Sequence, residues 1–310
     1  MAHFGNGKPM AIQAQAMLKT HLSLSSRHEA KQAGGIKGSR STGMIHGLAT
    51  FNKYTASLKQ SGEWAKENAG LRHLKDLTPE LAQQYLVDRA AQGVSQKQLD
   101  TDRNAMEFVT GKGSLQRELA LAKAELHSRA YTAEQTRLVA THQGGKNALA
   151  TEVAWRAGLR AHELLTLQRD GEARASTHRH WSAERFLGRE GERYIVTGKG
   201  GLRREVMMPR ELAARLEARR LDTPRAVTDR GITYRQHYDI GGGNAWSKSF
   251  SDASTRILGW SQGAHGLRHS YAQERMCELQ AQGKSYHSAR ELVSQELGHF
   301  RGDIVEVYLR

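Results

Sequence analysis

Apolar residues recur at spacings of three and four through much of the first third of this 310-residue chain. Such spacing places them on one face of a helix, whereas a half-buried strand would alternate residue by residue. Thr78 is an N-cap candidate followed by proline at the first helical position, and Gly93 breaks the chain before the next helix. The pattern predicts a small helical bundle over residues 41–112, with helices at Met44–Leu58, Leu81–Ala91 and Gln96–Val109.

Beyond residue 112 the pattern changes to helices mixed with short strands. Leu115–Ala130 is predicted to be helical within a linker, residues 113–130, and Thr132 with Gln135 forms a capping box that begins a new helix. A further helix is predicted at Ala148–Leu167 and a loop at Gly241–Gly243. Short strands are predicted at three places, with the turn Gly198–Gly201 before the last: Arg185–Leu187, Tyr194–Thr197 and Arg203–Met208. The fold class is therefore mainly α with a small antiparallel β-sheet.

The charge of the chain points to a polyanionic partner. Lysine and arginine number 46 against 32 aspartate and glutamate, a formal net charge of +14 with a sequence pI near 10.0. A surface of that charge attracts nucleic acid, although charge alone does not distinguish this from a merely basic protein.

Residues 1–40 carry six of these cations against the single acid Glu29, and Gly34, Gly35 and Gly38 interrupt any long helix. The composition predicts a mobile basic N-terminal arm. Such an arm either follows phosphates or is a solvated tail without a defined role.

Cysteine content and hydropathy bound the compartment. The single cysteine, Cys277, excludes an internal disulfide framework and leaves no thiolate cluster for structural zinc. No apolar run of about 18 residues or secretory signal core is present. We therefore expect a soluble, unexported protein of a reducing cytoplasm, without a membrane partner.

Several residues of the second domain suit the binding of a phosphate. Arg160 and Glu163 are three apart on one predicted helix face, so the carboxylate can orient the guanidinium. Lys199 lies in a glycine-rich turn that would project its ammonium group as a proton donor. Taken singly, each is equally explained by a surface ion pair or a solvated hairpin tip.

The C-terminal third adds imidazole, guanidinium and phenol groups. His265 and Arg268 are again three apart on a predicted helix, with His269 following directly. A helix over Glu291–Leu297 is predicted to stop at Gly298, and Ile304–Tyr308 to lie on or beside a short helix. A tyrosine hydroxyl among such groups could attack a phosphodiester, but a lone histidine or tyrosine is more often a packing residue.

Taken together, these residues resemble the tyrosine recombinase (phage integrase) family over residues 41–310. The family motifs match in one order: Gly158-Leu159-Arg160 with Glu163, Gly198-Lys199-Gly200, His265-Gly266-Leu267-Arg268-His269, Leu297-Gly298-His299, and Tyr308. The resemblance implies a helical core-binding domain at 41–112 and a mixed α+β catalytic domain at 131–310, which together form a clamp around DNA.

The resemblance also implies a role for each matched residue. Tyr308 would attack the scissile phosphate to give a 3′-phosphotyrosyl link and a free 5′ hydroxyl, while Arg160 and Arg268 hold the nonbridging oxygens. Lys199 would protonate the leaving oxygen. His265 would assist proton transfer, and His299 would hydrogen-bond the phosphate. Glu163 and His269 would support the site. No cofactor, metal or nucleotide is implied.

Family resemblance further implies the partners and setting. Strand exchange pairs two duplexes, so we expect a monomer that assembles into a homotetramer on double-stranded DNA at specific recombination sites. Accessory DNA-bending or directionality proteins and a bacterial, nucleoid-associated location in the cytoplasm would fit DNA integration by a mobile genetic element. The chain stops at Arg310, where relatives often continue into a helix that docks on a neighbouring subunit, so the assembly contacts stay open.

Two other functions remain compatible with these residues. A type IB topoisomerase uses similar chemistry on one duplex, and a noncatalytic DNA-binding regulator would keep the same fold. Two further motifs fail: Thr166 stands where a zinc protease following His162-Glu163 needs its second histidine, and Ser247 replaces the glycine before Lys248 in a phosphate-binding loop.

Overall fold

The computed structural model describes residues 8–23, 25, 27–37, 41–121 and 127–310. The chain divides into two compact units, Met1–Glu125 and Leu126–Arg310. No helix within the described ranges is both long enough and apolar enough to cross a membrane.

The first unit is helical over its described residues. Its helices are α1 (Met10–Lys19), α2 (Arg27–Ala33), α3 (Leu48–Ala69), α4 (Pro79–Ala91) and α5 (Gln96–Thr110). Thr78 accepts a hydrogen bond from the Leu81 amide at the start of α4, which confirms the predicted cap. Helix α3 continues beyond the predicted Leu58 to Ala69, and small residues, among them Gly62, line its inner face. That face lets the Met10 side chain of α1 approach closely.

Two sequence predictions for this unit are wrong. The predicted arm is helical at α1, whose Met10, Ala14 and Leu18 are buried in the unit's core. Residues 1–7, 24, 26 and 38–40 of that arm lie outside the described residues. The helix predicted at Leu115–Ala130 is absent at 115–121 and 127–130, while 122–126 lie outside the described residues. Side chains of α4 and α5 bind the backbone of 115–121 instead, since Gln83 accepts from the Gln116 amide at 2.8 Å and Gln96 from the Ala120 amide at 2.9 Å.

The second unit combines helices with two small sheets. Its helices are α6 (Ala133–Thr141), α7 (Gly145–Arg156), α8 (Arg210–Glu217), α9 (Gly243–Leu258), α10 (Gly266–Ala281) and α11 (Tyr286–Glu296). Its strands are β1 (Gln168–Arg169), β2 (Glu192–Thr197), β3 (Arg203–Met208), β4 (Arg220–Asp229) and β5 (Ile232–Tyr238). The Thr132–Gln135 capping box at α6 is present as predicted.

Both sheets are antiparallel. The three-stranded sheet has the order β1-β2-β3, with Ile195 paired with Glu205 across β2 and β3, and β4 pairs with β5 as a separate hairpin. Buried residues of α7, α9, β2 and β3 form one core, and α10 and α11 with the C-terminal segment form another. The predicted fold class, mainly α with a small antiparallel sheet, is confirmed.

The structure corrects two further predictions in this unit and adds one hairpin. Helix α7 ends at Arg156 and not at Leu167, because Gly158 adopts a left-handed backbone with φ of 58° and the Leu159 amide bonds back to the Ala154 carbonyl at 2.9 Å. Arg185–Leu187 forms turns and not a strand, with φ of 65° at Phe186. The β4–β5 hairpin was not predicted, since its polar, charged strands lack a strong apolar pattern.

Gly158 should tolerate no side chain. A Cβ there would lie 2.8 Å from Cδ1 of Tyr271, in addition to the left-handed φ of 58°. We expect Gly158→Ala to lower the free energy of unfolding of the second unit by about 2–4 kcal/mol, from strain and overpacking together. Urea unfolding followed by tryptophan fluorescence measures this, because four of the five tryptophans lie in that unit.

Gly283→Ala is the matched control. Gly283 also has a left-handed φ, of 84°, but no atom lies within 4 Å of its would-be Cβ. It should cost only the backbone strain, about 1 kcal/mol. Equal losses in the two variants would show that the contact with Tyr271 contributes nothing.

Candidate functional site

Two helices of the second unit end in the same way, and each end presents a predicted site residue. Gly158 after α7 and Gly298 after α11 are left-handed, and the His299 amide returns to the Ser294 carbonyl at 2.8 Å. This hydrogen bond is the one that closes a helix through a C-terminal glycine. The glycines in the Gly-Leu-Arg and Leu-Gly-His motifs are therefore helix terminators that turn Arg160 and His299 toward each other.

Glu163 lies at the centre of the site and is fully buried. Its carboxylate accepts from Nη1 of Arg160 and Nη2 of Arg204, each at 2.8 Å, and Nη1 of Arg268 lies 3.9 Å away. Burial alone would raise the pKa of Glu163, but the guanidinium groups of Arg204, Arg268 and Arg160 outweigh it and hold that pKa well below its ordinary value. The carboxylate is therefore ionised and neutralises part of a buried cationic cluster.

Arg268 is fully buried on α10 and joins the two helix ends. It donates to the Gly158 carbonyl at 2.5 Å and to the Leu297 carbonyl. These carbonyls lie two residues before Arg160 and His299, respectively. Burial, and then the nearby Arg160 charge, lower the pKa of Arg268 to about 10, so it stays protonated at neutral pH. Its Nη2 also lies 3.3 Å from Nε2 of His299.

Tyr308 is seated directly on this cluster. Its hydroxyl lies 3.0 Å from Nε2 of His299 and 3.4 Å from Nε of Arg268. The ring packs beside His269 and His265, with centroids 4.9 Å and 5.7 Å away, and only 5% of the residue is exposed. The short 3₁₀ turn Gly302–Val307 before Tyr308 agrees with the predicted helical position.

The three histidines around Tyr308 are neutral at physiological pH. Burial and the Arg268 and Arg160 charges lower the pKa of His299 to about 3, and burial with neighbouring cations lowers the pKa values of His265 and His269 to about 4. Donors of Arg160, Arg268 and Tyr308 all face Nε2 of His299. We therefore assign the lone pair to Nε2 and the proton to Nδ1 from this network.

Lys199 lies at the rim of the cluster. It occupies the turn between β2 and β3, which the Gly198 amide closes on the Leu202 carbonyl at 2.7 Å, and its side chain is exposed. With Arg160, Glu163, Arg204 and His299 it lines a cavity of about 360 Å³. The structure thus brings together Arg160, Glu163, Arg268, His299 and Tyr308, places Lys199 on the shared cavity, and leaves His265 and His269 against the tyrosine ring.

Sequence reasoning missed two buried residues that hold the site. Arg204 on β3 donates to the Glu296 carbonyl at 2.7 Å as well as to Glu163, and the Glu296 carboxylate accepts from Arg275 and Tyr271. Position 204 shares the inward face of β3 with Val206 and Met208, so the two-residue alternation of the strand carried a signal. Glu296 carried none, since an acidic residue at a helix end is usually solvated.

The arrangement is suited to binding a phosphate-type anion beside a phenol. Three arginines surround one carboxylate, which leaves a local excess of positive charge beside the Tyr308 hydroxyl. Within the described ranges, no group of three or more His, Cys, Asp or Glu side chains is arranged to hold a metal ion.

The fold is similar to that of several solved recombinases and integrases. The XerH site-specific recombinase bound to palindromic difH substrate, a post-cleavage complex, has 16% identity and a TM-score of 0.57, covering 99% of this chain and 94% of that one. A lambda integrase dimer bound to a COC′ core site has 15% identity and a TM-score of 0.53, covering 95% and 80%. The Tn1549 transposon integrase in complex with circular intermediate DNA has 13% identity and a TM-score of 0.52, covering 92% and 95%.

These likenesses establish that the chain has the tyrosine-recombinase fold that its motifs resemble. No protein-family model matches the sequence, and no curated protein sequence matches it. The likeness is therefore one of fold, at identities too low to carry residue roles.

The buried histidines should make the free protein sensitive to mild acid. His269 and His299 have folded pKa values of about 4 and about 3, below the ordinary 6.5, so the unfolded chain binds protons that the folded chain does not. Their contribution to stability is fully present above pH 6.5 and is lost as the pH falls toward 4. Urea unfolding at pH 7.5 and 5.5 should show a lower free energy of unfolding at pH 5.5.

His269→Asn is the variant that tests the cause. It removes one histidine whose pKa is lowered by folding, so the free energy of unfolding of the variant should fall less between pH 7.5 and 5.5 than that of the wild type. Glu163 and Glu278 have lowered pKa values and stay ionised throughout this window, which isolates the histidines. An identical fall in both proteins would remove His269 as a source of the acid sensitivity.

Proposed function

We propose that this protein is a site-specific DNA recombinase that breaks and rejoins DNA through Tyr308. One observation carries the proposal: the Tyr308 hydroxyl lies within hydrogen-bonding reach of neutral His299 and of Arg268, on a cluster of buried cations. A phenol is a poor nucleophile at neutral pH unless its proton has an acceptor and the charge it creates has partners. Both are provided here.

The proposed cleavage step follows from this placement. The Tyr308 oxygen forms a bond to phosphorus, the bond from phosphorus to the 5′ oxygen breaks, and a 3′-phosphotyrosyl link results. The tyrosyl proton has an acceptor in Nε2 of His299, with His265 beside the ring to assist proton transfer. Lys199, at the cavity rim, gives a proton to the leaving 5′ oxygen. Rejoining is the same sequence in reverse.

Charge stabilisation in this step comes from side chains of the chain itself. The nonbridging oxygens gain charge as the phosphate becomes pentavalent, and fixed donors in a partly dry site stabilise that charge more than water does. Arg160 and Arg268 supply these donors, while Glu163 keeps both guanidinium groups in place. The covalent link retains the energy needed for rejoining, so the proposed step requires neither metal nor nucleotide.

Double-stranded DNA is the proposed partner. The formal charge of +14 favours a polyanion, and the three similar structures named above are complexes with their substrate or DNA sites. A lambda integrase tetramer bound to a Holliday junction is also similar, with 14% identity and a TM-score of 0.51. We propose that this chain likewise assembles as a tetramer on paired sites and is a monomer when free.

Tyr308→Phe tests the covalent step. We expect it to abolish covalent protein–DNA adducts while leaving DNA binding intact, because it removes only the hydroxyl from a ring that stays packed against His269. Nicked genomic fragments, from which a cleaved strand end can diffuse away, trap the adduct for detection on a denaturing gel. Sequencing the trapped fragments of the wild-type protein should return a few sites.

Three outcomes would contradict this proposal in different ways. Adducts that persist in Tyr308→Phe would exclude Tyr308 as the nucleophile. Tyr308-dependent adducts at scattered sequences would indicate topoisomerase-like relaxation and not site-specific recombination. Tight DNA binding without adducts from wild-type protein would indicate a noncatalytic DNA-binding regulator.

Lys199→Ala tests the proposed proton donor. Its loss should slow adduct formation by roughly 10²–10⁴-fold, the usual contribution of a positioned general acid. A substrate with sulfur in place of the bridging 5′ oxygen has a leaving group that needs no proton, so it should restore most of the lost rate. Lys248→Ala, which removes an exposed lysine that pairs with Asp252 on α9, is the matched control and should change neither rate. A defect equal on both substrates would assign Lys199 to DNA binding instead.

A further inference from the structure

The connection between β1 and β2, residues 170–191, packs on the segment that carries His299. The Ser182 amide donates to the side chain of Gln295 at 2.8 Å, and the Phe186 amide donates to the carboxylate of Glu296 at 2.9 Å. These two bonds fix the connection to the last turn of α11. The connection therefore borders the site without contributing any of the predicted site residues.

An aromatic contact continues this attachment past His299. The rings of Trp181 and Phe300 meet edge to face with centroids 4.6 Å apart, and the guanidinium of Arg179 lies 5.1 Å from the Phe300 ring. Phe300 follows His299 directly, and the two side chains leave the backbone differently. His299 enters the arginine cluster, whereas Phe300 contacts the connection.

The backbone of Phe300 is strained. Its φ is 57°, in the left-handed region that an aromatic residue rarely adopts. Strained conformations persist where surrounding contacts hold them, and they occur at sites where the strain positions a functional group. With Gly298 also left-handed, the chain reverses on both sides of His299. The second reversal is bordered by the Phe300 ring contact with Trp181 and by the Arg301 amide, which donates to the Ser294 hydroxyl at 2.8 Å.

Trp181 is itself anchored on the site's own sheet. Its indole nitrogen donates to the Ser176 carbonyl at 2.9 Å, and Arg185 lies over its ring at 4.5 Å. Ser176 in turn exchanges hydrogen bonds with the backbone of Arg203, at 2.9 Å and 3.0 Å. Arg203 is the first residue of β3 and lies next to Arg204, so the anchor and the cluster share one strand.

We propose that Trp181 and Phe300 are positioning residues that hold the imidazole of His299 between Arg160, Arg268 and Tyr308. The contact acts from outside the cluster, through the backbone of Phe300. The consequence for DNA cleavage rests on the proposed function, whereas the placement of His299 in the free protein does not. The two can therefore be measured separately.

The first measurement follows His299 in the free protein. With histidine ¹³C-labelled at Cε1, and His299 assigned by its loss in His299→Asn, the wild-type signal should not titrate between pH 5.5 and 8. In Trp181→Ala, an imidazole released from the arginines should titrate inside that range, and Trp181→Phe should restore the silent signal. A silent His299 signal in folded Trp181→Ala would overturn the proposal.

Phe300 variants separate the ring contact from the backbone strain. Phe300→Ala loses the ring and keeps the unfavourable left-handed φ, whereas Phe300→Gly loses the ring but adopts that φ freely. We expect His299 to titrate between pH 5.5 and 8 in Phe300→Ala, and its signal to stay closer to that of the wild type in Phe300→Gly. The reverse order would show that the reversal at residue 300 does not position His299.

The second measurement is the rate of adduct formation on a DNA fragment that was first identified as a covalent adduct of the wild-type protein. Trp181→Ala should slow adduct formation roughly tenfold or more in the wild-type background, as expected for a misplaced group, and less than about twofold in the His299→Asn background. Equal slowing in both backgrounds would assign Trp181 to a contact with DNA or to stability. Absence of any Tyr308-dependent adduct from wild-type protein would end the proposed function, while the titration would still decide the placement of His299.

Discussion

The buried carboxylate of Glu163 is the interaction on which the second unit's site depends. It accepts from Arg160 and Arg204 and lies 3.9 Å from Arg268, so one negative charge holds three guanidinium groups together. Removing one partner of a buried ion pair costs about 3–5 kcal/mol, because the remaining charge is left without compensation. Here the uncompensated charges would be three of one sign, where the turn after α7, strand β3 and helix α10 meet.

Main-chain carbonyls complete this arrangement and give it direction. The last carbonyls of a helix have no partner within it. Arg268 takes those of Gly158 and Leu297, and Arg204 takes that of Glu296, at the ends of α7 and α11. Because each guanidinium group donates some of its hydrogen bonds to fixed carbonyls, the orientation of its plane is fixed before any anion binds. Two arginines of the cluster, Arg160 and Arg204, line the cavity that Lys199 also lines.

The sequence predicted features that depend on a few neighbouring residues and missed those that depend on contacts between distant parts of the folded chain. Helix starts at Thr78 and Thr132 and the strands at Tyr194 and Arg203 were predictable, since caps and apolar periods act over a few residues. The prediction of a helix at Leu115–Ala130 was wrong, because glutamine side chains of α4 and α5 bind the backbone amides of Gln116 and Ala120. Arg204 and Glu296 were missed because only the folded chain shows that their charges are buried. The order of the motifs identified the other site residues, whose roles remain proposals: Arg160, Lys199, Arg268, His299 and Tyr308.

Tyr308 is in place before any substrate binds. Its hydroxyl is already within 3.0 Å of His299, and its carbonyl is held by Gln273 at 3.0 Å, so the residue is fixed from both ends. Under the proposed function, the Tyr308 hydroxyl therefore contacts its proton acceptor without a prior rearrangement. The position of the scissile phosphate relative to this hydroxyl then affects the rate strongly, since a displacement of about 1 Å is enough to cost roughly 10²-fold.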